Sequence, residues 1–276
     1  MKFPKFWCRV HNETGKVVAR GWSETSHDEA AANAERRLRR ILDFLQDGGR
    51  LDEYQYEADG VICEPVIDRV FEGETETAVI SRNAYGSLVL NTPHLMIADI
   101  DIQPPRLPDF FRRIKTWFGL GRDRPSAEQQ KLEHVRQWQR SHPDFSLRVY
   151  RTHSGYRVLV INQYWPRVDE QALRLLEQLD SDPLYRRLCK SQSCFRARLS
   201  PKPWRVGVPG APTRFPFRNA SEERAFDQWE QKYRQVAEGF SVCRYVETIG
   251  KAARHNSLTA LIAQHDAWCC GDRPLA

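Results

Sequence analysis

Two aspartates stand two residues apart in an otherwise apolar run, His94-Leu-Met-Ile-Ala-Asp99-Ile-Asp101-Ile102. Side chains alternate along a strand, so Asp99 and Asp101 share one face while Met96, Ala98, Ile100 and Ile102 share the other. One face is core and the other holds paired acid. Ionised carboxylates side by side repel unless a cation or guanidinium sits between them. A hard divalent ion with oxygen ligands, Mg2+ or Mn2+, is one answer, and arginines from neighbouring strands are the other. The first would give a centre that stabilises charge on a transferring nucleotidyl group and lowers the pKa of an attacking hydroxyl.

The surrounding elements must position that pair. Downstream, Phe145-Ser-Leu-Arg-Val-Tyr-Arg-Thr152 and Tyr156-Arg-Val-Leu-Val-Ile161 read as a hairpin turning near Ser154-Gly155, and Cys194-Phe-Arg-Ala-Arg-Leu199 as a further strand. Helices are expected at about residues 126–141 and 170–179, the latter continuing through 188. From His94 the order is strand, helix, strand, strand, helix, strand, which is the split βαβ arrangement of ferredoxin-like and RNA-recognition-motif-like (RRM-like) folds. Such a sheet has helices on one face and leaves the other open. Parity puts Asp99, Asp101, Arg148, Tyr150, Thr152, Arg157, Arg196 and Arg198 on the open face, with Thr152 opposite Arg157. Arginines in excess of the acids suit a triphosphate or a nucleic-acid backbone, because guanidinium grips phosphate with two parallel N–H groups.

The rest of the chain supplies a frame. Phe6-Trp-Cys-Arg-Val10 and Lys16-Val-Val-Ala-Arg20 flank an Asn12-Glu-Thr-Gly15 turn. Ser26-His-Asp-Glu29 is a capping-box pattern that opens a helix, ended by Gly48-Gly49, with Arg36, Arg37, Arg39 and Arg40 on its polar side. Residues 64–71 read as helical, and 77–80 and 87–90 as strands. The stretch Phe110-Phe-Arg-Arg-Ile-Lys-Thr-Trp-Phe118 mixes aromatic and basic groups and suits either contact with a single nucleic-acid strand or packing on the domain. Helices at about 221–237 and 257–268 close the chain. The expected fold class is therefore α+β, an RRM/ferredoxin-like βαββαβ core over 76–210. It joins an N-terminal hairpin and helix over 1–75, with C-terminal helices over 211–276 packed on it.

With 276 residues, 41% of them hydrophobic, eight Trp and thirteen Phe, the chain can bury a real core. A formal charge of +6 favours polyanionic partners. No run of about 18 apolar residues suggests a membrane span, and Met1-Lys-Phe-Pro-Lys-Phe-Trp7 lacks a signal peptide's apolar stretch, so a cytoplasmic protein is expected. Seven scattered cysteines suit reduced thiols better than a disulfide framework. Cys189 and Cys194 with Cys269 and Cys270 can be drawn as a zinc site, although neither pair has the usual two-residue spacing.

With these motifs in place, the chain resembles the archaeo-eukaryotic primase (primase-polymerase) superfamily over about residues 77–207. Asp99-Ile-Asp101 matches the first motif, a strand bearing Asp-x-Asp. Tyr150-Arg-Thr-His-Ser-Gly-Tyr-Arg-Val-Leu-Val160 has the shape of the second, with Arg157 in the usual His position and His153 before the turn. Cys194-Phe-Arg-Ala-Arg-Leu199 is similar to the arginine-rich strand near the third motif. That motif's own Asp has no equivalent near the final strand, since Asp169, Asp180 and Asp182 belong to or border the intervening helix. The resemblance implies a metal-dependent nucleotidyltransferase that acts on nucleoside triphosphates and DNA or RNA. Asp99 and Asp101 would be catalytic ligands of Mg2+ or Mn2+. Arg148, Thr152, His153, Arg157, Arg196 and Arg198 would hold nucleotide or phosphate. A non-catalytic nucleic-acid-binding protein of degenerate primase-like fold, and a metal-dependent nuclease, are the alternatives.

Overall fold

Ten β-strands and six α-helices occur among the described residues of this computed structural model, which are 1–49, 60–102, 126–251 and 253–276. The aromatic and basic stretch at 110–118 lies outside them. Strands β1 (Phe6–His11) and β2 (Val18–Ser23) form the expected antiparallel hairpin, and helix α1 (His27–Gln46) follows. The Ser26 hydroxyl caps α1 by accepting from the Glu29 amide at 3.2 Å, while the Glu29 carboxylate turns to Ser23 instead of closing the box. The helix buries Ala30, Ala34 and Ile41 and leaves Arg36, Arg39 and Arg40 in solvent.

Residues expected to be helical at 64–71 instead contain strand β3 (Val66–Glu72), paired antiparallel with β4 (Thr75–Arg82). The β-branched Val66, Ile67 and Val70 favour a strand, and Gly73 supplies the positive φ that the intervening turn requires. This hairpin crosses residue 75. It continues through β5 (Leu88–Thr92) into a four-stranded antiparallel sheet of order β3-β4-β5-β9, with β9 covering Phe195–Arg198.

The second sheet, also antiparallel, has the order β10-β7-β8-β6. It contains β6 (Ile97–Asp101), β7 (Leu147–Thr152), β8 (Gly155–Val160) and β10 (Cys243–Ile249). Helix α2 (Ala127–Ser141) joins β6 to β7, and α3 (Glu170–Gln178) and α4 (Pro183–Gln192) join β8 to β9. The order β6-β8-β7 follows the expected core, but β9 does not close it. The free edge of β6 is already engaged by the start of α4. The Asp182 amide donates to the Asp99 carbonyl at 2.9 Å, and the Ser181 hydroxyl donates to the same oxygen at 3.0 Å. The Tyr185 hydroxyl donates to the Ile97 carbonyl at 2.7 Å and accepts from the Arg196 amide at 3.1 Å, standing between β6 and β9. With its edge satisfied, β6 has nothing to offer β9, which pairs with β5 instead.

The supposedly open face of this sheet is also covered. Helix α6 (Thr259–Cys269) lies over Arg148, Tyr150 and Arg157, and leaves Tyr150 fully buried. Helix α5 (Ala220–Ala237) buries Phe226 and Tyr233, and the Tyr233 hydroxyl donates to the Pro201 carbonyl. The main core draws on both sheets as well as α2, α3 and α6. Among the described residues, no helix is long and apolar enough to cross a membrane.

Candidate functional site

A cleft of about 570 Å3 opens where the two sheets meet, between the C-terminal end of β6, the start of α4, and β9 with the segment after it. Strand alternation brings Asp99 and Asp101 to it from β6. Gly155 faces Asp101 in the ladder, and a Cβ there would lie 1.9 Å from the Ile100 carbonyl oxygen, so only glycine allows β8 to approach this closely.

The carboxylates of Asp99 and Asp101 make no hydrogen bond or ion pair among the described residues, although the charges of the strand residues Arg157 and Arg198 act on Asp99 and that of Arg198 on Asp101. Burial holds the Asp101 carboxyl above its ordinary range, and the charges of Asp99 and Asp182 add to the rise, against Lys202 and Arg198. Asp182 is a third carboxylate of the cleft. One of its oxygens caps α4 by accepting from the Tyr185 amide at 2.8 Å. Sequence reading set it aside as a helix-border residue. The Asp-Pro at the helix start marked the cap, but nothing local showed that the cap docks on the edge of β6. The oxygens of the three acids are not all within 4.8 Å of one another.

Facing the acids is a basic wall. Arg198 reaches the cleft from β9 with its NH1 atom buried and without a partner. Burial lowers its pKa and the neighbouring Arg157 lowers it further, while Asp99 opposes the shift. Lys202 and Arg205, which sequence reading missed, extend the wall beyond β9. Burial is the first cause lowering the pKa of each; Arg198 and Arg205 add to it for Lys202, while Asp101 and Asp99 oppose it for Arg205. The Arg205 guanidinium also donates to the Ser154 hydroxyl at 2.8 Å. Next to the lining residues Tyr85 and Lys202, Trp204 is 55% exposed, with its ring 5.2 Å from Tyr85 and the Lys202 ammonium 5.5 Å from its centroid.

The other expected residues divide. Thr152 lines the cleft. Arg157 forms part of its floor, opposite Asp99 in the β6–β8 ladder and opposite Tyr150, not Thr152, across β7. The turn is His153-Ser154, one residue earlier than expected, which shifts the register. Arg196 also lines the cleft, but its NH2 donates to both carboxylate oxygens of Glu64, at 2.7 and 2.6 Å, and its NH1 to the Gln192 side-chain oxygen at 2.9 Å. Arg148 lies outside the cleft lining and is directed to α6, where it donates to Asp266 at 2.6 Å and to the Tyr150 hydroxyl at 2.6 Å. His153 is exposed outside the cleft lining; partial desolvation and then the charges of Arg205, Arg151, Arg198 and Lys202 keep its pKa low.

Such a cleft can hold a ligand that presents anionic oxygens to the basic wall while a cation satisfies the acids. Carboxylates offer oxygen ligands only, the donor type that a hard divalent ion takes. Compared with protein-family models, with curated proteins and with solved structures, the chain gives no match.

Proposed function

We propose that the protein is a divergent primase-polymerase-like nucleotidyltransferase that binds a nucleoside triphosphate and Mg2+ or Mn2+ in the cleft between its sheets and acts on DNA or RNA. One observation carries this reading. Two unpaired carboxylates and a third acid face a buried, unpartnered Arg198 N–H across a cavity large enough for a nucleotide. An Arg without a carboxylate partner costs stability, and a ligand phosphate would satisfy it.

Asp99 and Asp101 would hold the cation, with Asp182 drawn in as it binds, and the bound ion would neutralise charge on the transferring group. Arg198, Lys202 and Arg205 would grip the phosphates, with Arg157 beneath them. Thr152 and Ser154 offer hydroxyls at the turn side of the cleft. The division into two sheets suits this use, because Tyr185 stands between β6 and β9, so that the acids of one sheet face Arg198 of the other.

Calorimetry with a nucleoside triphosphate, with and without Mn2+, tests the reading. Binding is expected to depend on Mn2+, to vanish in folded Asp99→Ala/Asp101→Ala, and to weaken at least about tenfold in Arg198→Met, the loss of a charge-assisted hydrogen bond or two. Equal binding by native and doubly substituted chains would refute it.

The exposed Trp204, braced by Tyr85 beside Lys202, favours a second reading, in which the protein holds a single strand by stacking and phosphate contacts without catalysis. It predicts salt-sensitive strand binding that is indifferent to EDTA and lost in Trp204→Ala.

A further inference from the structure

On the far side of Arg157 from the cleft, β10 and α6 bring together Cys243, His265 and Cys269. All three are buried, with ligating atoms within 4.8 Å of one another. His265 and Cys269 are four residues apart on α6 and so share a face, and Cys243 faces them from the strand. The Cys243 and Cys269 sulfurs are 3.7 Å apart, and the Cys269 sulfur is 3.4 Å from His265 Nε2. Zinc bonds of about 2.3 Å to sulfur and about 2.0 Å to nitrogen, at tetrahedral angles, place ligand atoms at roughly these separations.

The surroundings complete the pattern. His265 Nδ1 lies 2.9 Å from an Asp266 carboxylate oxygen, which leaves Nε2 as the ring nitrogen turned toward the sulfurs. Asp266 is itself held by Arg148 and Tyr150. A carboxylate that fixes the ring of a ligating histidine is the usual outer support of a metal site. Cys270, paired with Cys243 through a backbone bridge and with its thiol beside that of Cys243, offers a further sulfur outside the three-residue group.

Charge balance points the same way. Arg157 is 3% exposed and has no carboxylate within ion-pair distance among the described residues. Its NH1 donates to the Arg198 carbonyl at 3.1 Å and lies 2.9 Å from His265 Nε2 and 3.6 Å from the Cys269 sulfur. A buried guanidinium needs an anionic or strongly polar partner. A zinc ion with two thiolates is neutral and with three carries a single negative charge, and in either case its sulfurs are strong acceptors.

We propose that Cys243, His265 and Cys269 bind a structural Zn2+, with Cys270 or water in the fourth position. The ion pins α6 to the sheet. Binding releases the thiol protons and displaces the Arg157 N–H from Nε2, leaving it to donate to the Cys269 thiolate. The cleft above keeps its Arg157 floor.

The metal content of the purified full chain tests this, together with uptake of Co2+ after the native protein is stripped with a chelator. A single zinc per chain is expected, and Co2+ should give the thiolate charge-transfer and intense visible bands of a tetrahedral site. Cys243→Ser/Cys269→Ser should lose both. Cys189→Ser/Cys194→Ser, and Asp99→Ala/Asp101→Ala at the cleft, should keep both. If the Cys243→Ser/Cys269→Ser chain does not fold, the Co2+ spectrum of the native chain still decides. A folded native chain that contains no zinc and gives no thiolate–Co2+ band would overturn the proposal.

Discussion

At the scale of single residues, Asp101 carries a charge that its burial and its acidic neighbours disfavour. Burial first, then Asp99 and Asp182, raise its pKa. A group with a raised folded-state pKa favours the fold when protonated, so its contribution is present at acid pH and lost as pH rises through the raised value. Asp101→Asn is therefore expected to melt a few degrees higher than the native chain at neutral pH without added divalent metal, and the gain should shrink as pH falls until the native acid is protonated anyway. Thermal melts across that range would check it. A variant that melts lower than the native chain at neutral pH would show that the acids are not in conflict. Under the proposed function, cation binding would run the other way, since a proton on Asp101 would compete with the ion and weaken its binding as pH falls.

Among elements, the start of α4 decides the architecture, because it satisfies the edge of β6 and carries Asp182 to the cleft. Tyr185→Phe removes the hydroxyl that joins the Ile97 carbonyl to the Arg196 amide, leaving both buried groups short of a partner. A loss of about 1–3 kcal/mol is expected, read as a lower urea midpoint at unchanged slope. Asp182→Asn separates two roles of one residue. Asn caps nearly as well as Asp, so stability should change by only a few tenths of a kcal/mol, while Mn2+-dependent nucleotide binding should weaken. Unchanged nucleotide binding in this variant would remove Asp182 from the acid set and leave it as a cap alone.

For the whole molecule, the cleft lies on the seam between two sheets, so a ligand there would touch residues of both. A ligand that binds only the folded chain adds about 2.7 kcal/mol at a hundredfold excess over its Kd. Nucleoside triphosphate with Mn2+ should therefore raise the unfolding midpoint as a single transition. Stabilisation confined to one phase of a split transition would place the ligand on one sheet alone.

The sequence by itself determined what depends on near neighbours. Alternation put Asp99 and Asp101 on one face, and the same parity placed Arg157 and Arg198 correctly relative to their own strands. The Ser26 cap and the first hairpin were equally legible, since turn and cap chemistry act over four residues or so. Tertiary structure alone decided which edges pair and which faces stay open. Whether β9 meets β6 or β5 is a competition between backbone partners far apart in sequence, won by Ser181, Asp182 and Tyr185 at the edge of β6. Whether Arg148 faces solvent or a helix depended on α6, more than a hundred residues later, and Asp266 claims it. Lys202, Arg205 and the Cys243–His265–Cys269 cluster were invisible for the same reason. Periodicity reports the face a residue takes on its own element, while the partner opposite that face is set by the free energy of packing the whole chain.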